Sequence, residues 1–215
     1  MSLKFGVLIA TAALLVASAS VASSAVPPGG NAGEVCAAAA AVAEAQGSAA
    51  DSQVAACTLA IRIASGGEAE VQILAQLRSG NTVVMPTEAW DRIAAAYINR
   101  GVLHLMRSEF DKAIADSNVA LALDNNLPEA AINRGAALLQ KHRPADAAVD
   151  FTHALELAPA HQERVYFDRA MAREDMGDIK GAYADYRQAS QLNPLWDKPK
   201  RELARFKVIP AKPVS

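Results

Sequence analysis

Apolar residues over much of this chain recur at helical spacing, and in the second half the pattern repeats itself. The phrase Asn99-Arg100-Gly101 returns as Asn133-Arg134-Gly135 and, weakened, as Asp168-Arg169-Ala170, at spacings of 34 and 35 residues. Self-similarity at that period, with a helical rhythm inside each copy, predicts a solenoid of helix pairs. Ahead of the copies, residues 68–78 (EAEVQILAQLR) set Val71, Leu74 and Ala75 on one side of a further helix, stopped by Ser79-Gly80-Asn81. Residues 82–86 then read as a loop, with Thr87 the candidate N-cap of the next helix and Trp90 in its first turns. Phe5–Ala17 departs from the rhythm altogether, being uncharged and mostly apolar throughout.

Numbering each copy so that Gly101, Gly135 and Ala170 take position 8 aligns small residues at position 20 (Ala113, Ala147, Ala182) and position 27 (Ala120, Ala154, Ala189). Position 24 holds Phe151 and Tyr186 in the later copies and Ser117 in the first. Pro159 and Pro194 fall at position 32, where the first copy has Asn125. Gly177 marks the turn at position 15, where the other copies carry Ser108 and His142. Small residues at 8, 20 and 27 let two antiparallel helices approach, and a bulky residue at 24 fills the space between units. Over roughly residues 94–196, about half of the chain, these positions resemble the tetratricopeptide repeat family. The resemblance implies an all-α, right-handed superhelical solenoid of antiparallel helix pairs. Ser108 and His142 for Gly, Ala170 for Gly, and Ser117 for an aromatic depart from the family pattern.

A second pairing runs inside the copies. Arg100 and Asp116, Arg134 and Asp150, and Arg169 and Asp185 are each 16 residues apart. An Arg at position 7 and an Asp at position 23 are candidates for a structural ladder, within or between units, that fixes geometry more than it stabilises. After the last unit, residues 195–206 (LWDKPKRELARF) predict a capping helix from near Pro199. Its Lys200, Arg201, Glu202 and Arg205 face solvent, and Trp196, Leu203 and Phe206 pack back on the third unit. Residues 208–215 read as a tail.

The front end has the layout of a secretory signal peptide over residues 1–25. Lys4 is followed by the apolar run and then by small residues, with cleavage sites after Ala19, Ala22 or Ala25. Residues 26–33 read as a linker and residues 34–86 as a helical region holding a degenerate repeat. Cys36 and Cys57 are the only cysteines, and in an exported chain an even count suggests a disulfide. Laid on the repeat frame, Cys57 takes position 24 and Cys36 lies near the start of the first helix, so an antiparallel hairpin brings them near bridging range. A metal site is the alternative, and no His lies near either Cys in sequence. Residues 68–93 break the 34-residue phase and are too few for a full pair; packing along the array and lying in its groove both remain open.

The composition, 52% apolar and 5% aromatic, suits helix pairs with small contact residues. Removing residues 1–25 takes away only Lys4 and moves the net charge from −2 to −3. That leaves no basic footprint for nucleic acid and no basic membrane-binding helix. His104, His142, His153 and His161 form no metal-ligating pair and read as surface or packing residues. No phosphate loop, cofactor motif or catalytic constellation stands out, so the chain reads as non-enzymatic and free of cofactors.

In the tetratricopeptide family the first helices line the inner face of the array. The resemblance therefore implies a protein-binding face of Ile98, Val102, Leu105 and Met106 from the first unit. Ile132, Ala136, Leu139 and Gln140 come from the second, with Glu129 beside them, and Arg164, Phe167, Met171 and Glu174 from the third. Units of this family that grip a C-terminal carboxylate carry Lys, Asn and Arg at places held here by Ile98, Val102, Asn133, Arg164 and Asp168. Only Asn133 and Arg164 fit, and Asp168 would repel a carboxylate. The expectation is an exported, periplasmic or secreted interaction module that scaffolds or escorts another envelope or secreted protein. It would bind a protein or peptide segment, without nucleic acid and without stable membrane insertion after signal cleavage. The alternative is a self-associating structural protein whose groove is closed by a homodimer or by its own N-terminal segment.

Overall fold

Among the described residues, four helix hairpins are closed by one and the same turn. The backbone is left-handed at Gly47 (φ 68°), Ser108 (φ 58°), His142 (φ 57°) and Gly177 (φ 80°). In each, the next amide reaches back to a carbonyl five residues earlier: Ser48 to Ala43 (3.1 Å), Glu109 to His104 (2.8 Å), Arg143 to Leu138 (2.9 Å) and Asp178 to Arg173 (2.8 Å). This is the helix-ending arrangement that satisfies the last carbonyls of the first helix. Glycine enters it freely, whereas Ser108 and His142 hold it at a steric cost.

A computed structural model describes residues 32–65 and 87–206, and every regular element among them is a helix. In order these are α1 (Ala32–Gln46), α2 (Asp51–Ala64), α3 (Thr87–Met106), α4 (Phe110–Leu123) and α5 (Pro128–Gln140). They continue with α6 (Pro144–Glu156), α7 (Gln162–Asp175), α8 (Ile179–Leu192) and α9 (Asp197–Leu203). Each helix packs on the next, and α1, α3, α5 and α7 also touch in series. The result is an all-α helical repeat solenoid. Local signals set the starts: Pro128 and Pro144 open α5 and α6, and the Asp178 carboxylate accepts the Gly181 amide (3.0 Å) at the head of α8.

The small positions are buried as the pattern requires. Ala113, Ala120, Ala147, Ala154, Ala182 and Ala189 are fully closed off from solvent, and so are Phe151 and Tyr186 between them. The α1–α2 hairpin continues the stack, lying against α3 although residues 66–86 intervene in sequence. Cys36 and Cys57 form a disulfide buried at its centre. The first helix of the first clear unit is longer than its counterparts: α3 has 20 residues against 13 in α5 and 14 in α7. It starts at Thr87, so residues 87–93 prolong this helix ahead of the repeat frame, and Ile93 is fully buried. At the other end, Trp196, Leu203 and Phe206 pack on Phe167 and Tyr186, with Phe167 and Trp196 ring centres 4.9 Å apart. The expected capping helix begins two residues before Pro199, which is buried. The signal segment 1–25, most of the linker, residues 68–86 and the tail lie outside the described residues.

Candidate functional site

The first helices of the four hairpins line one face of the solenoid. Of the twelve side chains expected there, seven are buried in the structure: Ile98, Val102, Leu105, Ile132, Ala136, Leu139 and Phe167. Neighbouring first helices and their own second helices close over them. Met106, Gln140, Arg164, Met171 and Glu174 are half-buried and form what the face presents. Glu174 is engaged from the C-terminal end, accepting from the Tyr186 hydroxyl (3.1 Å) and from Arg205 (2.7 Å). The face is therefore narrower and more polar at its surface than an open apolar groove, with Met106 and Met171 as its adaptable apolar contacts.

The Arg–Asp ladder is what holds the units in register. Arg100 Nε and Nη2 donate to the two oxygens of Asp116 (2.9 and 2.8 Å). Arg134 does the same to Asp150 (2.8 and 2.6 Å), and Arg169 to Asp185 (2.8 and 2.9 Å). All three pairs lie within a unit. The remaining Nη1 points to the unit before, donating to Thr58 Oγ1 (3.2 Å), Asn118 Oδ1 (2.8 Å) and Thr152 Oγ1 (3.1 Å) respectively. Those three acceptors all stand at position 25 of the repeat frame, a column that sequence reading missed. Its signal was a short polar residue, Thr, Asn, Thr, one place after the position-24 residue. Arg100 and Arg169 also lie over Tyr97 and Tyr166, 5.1 and 5.4 Å from the ring centres.

His104 falls on the packing side of the surface-or-packing expectation. It is buried, with Nδ1 2.6 Å from Glu109 Oε2 and Nε2 3.8 Å from Asp116. Glu109 also accepts from Arg107 and Lys112, and Arg107 reaches Asp51 on α2 (2.5 Å). Together the His104 contact and these cations hold the Glu109 carboxyl down at about 2. This network floors a shallow cleft of about 460 Å³ between α2 and the α3–α4 turn, walled by Val54, Ala55 and Leu59. Among the described residues no cluster of His, Cys, Asp or Glu has the makings of a metal site, and no helix is long and apolar enough to cross a membrane.

Residues 163–194 match the family model of the tetratricopeptide repeat. Among solved structures, the Arabidopsis OM64 TPR domain is similar, at 26% identity and a TM-score of 0.50, over 52% of this chain and 92% of that one. The first TPR of Spaghetti (RPAP3), bound to the HSP90 peptide SRMEEVD, is similar at 23% identity and a TM-score of 0.50, over 52% of this chain and 88% of that one. No curated protein matches the chain. The chain thus contains a stretch that matches the tetratricopeptide repeat, set within a helical repeat solenoid of the same architecture as solved tetratricopeptide domains.

Proposed function

We propose that this chain is an exported interaction module that holds a segment of another envelope or secreted protein on the inner face of its array. The supporting observation is the serial contact of α1, α3, α5 and α7, which builds one continuous face from four hairpins and leaves Met106, Gln140, Met171 and the Arg164 edge half-open along it. Arrays of this architecture present extended surfaces to other proteins. The relative bound to SRMEEVD supports a peptide-sized occupant. A carboxylate-gripping mode does not carry over, because Ile98 and Val102 stand where it needs polar donors and Asp168 is buried. Export rests on the sequence of residues 1–25.

The test is photocrosslinking. A photoreactive side chain placed at Met106, Gln140 or Met171 should give one shared adduct in the envelope fraction, whereas the same group at Val149, which is 68% exposed, should not. Equal labelling at Val149, or none at the inner positions, removes the inner face as the binding site. Adducts at twice the chain's mass replace the escort reading with self-association. N-terminal sequencing of the chain recovered from that fraction tests export, and an intact Met1 overturns it.

A further inference from the structure

Position 6 of the repeat frame holds Asn99, Asn133 and Asp168 in the successive units. Asn133 shows what the place is for. It is 1% exposed, and its amide Nδ2 donates to the carbonyl of Ile98 on the first helix of the preceding unit (3.2 Å). That bond ties α5 to α3 along the inner face. Asp168 occupies the equivalent place between α7 and α5, whose contact closes the next seam. The counterpart of Ile98 in the second unit is Ile132. Asp168 is also 1% exposed, and among the described residues its Oδ2 has no hydrogen-bond partner. An ionised carboxylate has no proton to offer a carbonyl, and burying an unpaired one is costly.

We infer that Asp168 is a protonated acid in the folded array, that it donates to the seam where Asn133 uses its amide, and that alkali loosens the third unit by removing that proton. The charged neighbours are Arg164 on the same helix and Lys198 on α9. Both favour the ionised form, and both are outweighed. From α5 the seam presents the neutral Asn133 and Ile132, and on α8 Asp185 is held by Arg169 and Arg173. Burial pushes the Asp168 carboxyl up to about 8, from 3.8 in an open chain. A raised folded-state value means that the contribution is whole below pH about 4 and is lost as pH climbs towards 8. The seam between α5 and α7 therefore responds to alkali.

The experiment compares the full mature chain with Asp168→Asn by thermal unfolding from pH 5 to pH 9. Every other group is common to both proteins, so the difference between them isolates position 168. Asp168→Asn should match or trail the wild type at the acid end and exceed it by several degrees at the alkaline end. A difference that is constant with pH, or an Asn variant that is less stable at pH 9, overturns the inference. The wild type alone gives a second reading. Its infrared spectrum should show one carboxylic-acid carbonyl band at pH 6, which disappears as pH passes about 8. Absence of that band at pH 6 overturns the inference even if the variant does not fold.

Discussion

A Cβ added at Gly135 would stand 2.8 Å from Phe151 Cε1, whereas one added at Gly101 meets nothing nearer than Asp116 Cβ at 3.7 Å. The same repeat position is thus forced to be glycine in one unit and not in another. Ser117 explains the difference, because it replaces the aromatic that Phe151 supplies. Gly135→Ala should cost about 1–3 kcal/mol through overpacking. Gly101→Ala should be neutral or stabilising by up to about 1 kcal/mol through helix propensity. Thermal unfolding of the two variants checks both, and equal effects would remove the proposed helix contact.

Truncating the ladder should hurt unequally. Arg134→Ala leaves the buried Asp150 without the donor that holds both its oxygens, at a cost of about 3 kcal/mol. Arg169→Ala should cost less, because Arg173 still donates to Asp185 (2.8 Å). Denaturant unfolding ranks them, and a larger loss in Arg169→Ala would contradict the shared-partner account.

Among the described hairpins, the disulfide stands in the one without a ladder. Positions 7 and 23 there are Ala40 and Ala56, so no ion pair joins its helices at that level. Replacing Cys36 and Cys57 by Ala should cost about 3 kcal/mol, the scale for a closed loop of this length. The loss should be local. Hydrogen exchange should speed up in α1 and α2 while α5 to α8 keep their protection. Uniform acceleration along the array would show the hairpin to be integral to the whole stack.

Acid should act through Glu109. Its folded-state value lies near 2, below the 4.5 of an open chain, so its contribution is present above pH about 4.5 and is lost as pH falls towards 2. Glu109→Gln should therefore be less stable than the wild type at pH 5, with the gap closing as pH approaches 2. A gap that does not change with pH would mean that Glu109 acts by packing alone.

Much of this architecture can be read from single residues in phase. Gly135, Ala147 and Phe151 predict a close helix pair because steric fit depends on side-chain size, which a sequence displays directly. The Arg–Asp spacing of 16 also translates directly, since a helix, a tight turn and a helix leave those residues facing each other. Other features resisted. The Nη1 bonds to Thr58, Asn118 and Thr152 depend on how units stack, and their acceptors vary chemically. The inner face reads as an apolar groove because Val102 and Leu139 are apolar, yet the same positions serve contacts between successive helices and are buried. The contacts of Glu174 and His104 stayed hidden for a similar reason, since Arg205 and Glu109 reach them from neighbouring elements.

The ladder's third bond also gives the array a direction. Arg100, Arg134 and Arg169 each reach back to a residue nearer the N-terminus, and none of these bonds reaches forward. As the chain is synthesised, each new unit finds its acceptor already made. Shortening the array after any unit leaves these bonds intact in what remains, while removing a unit from the front strands one guanidinium N–H. For this set of bonds, the array can be ended at any unit boundary but begun at only one.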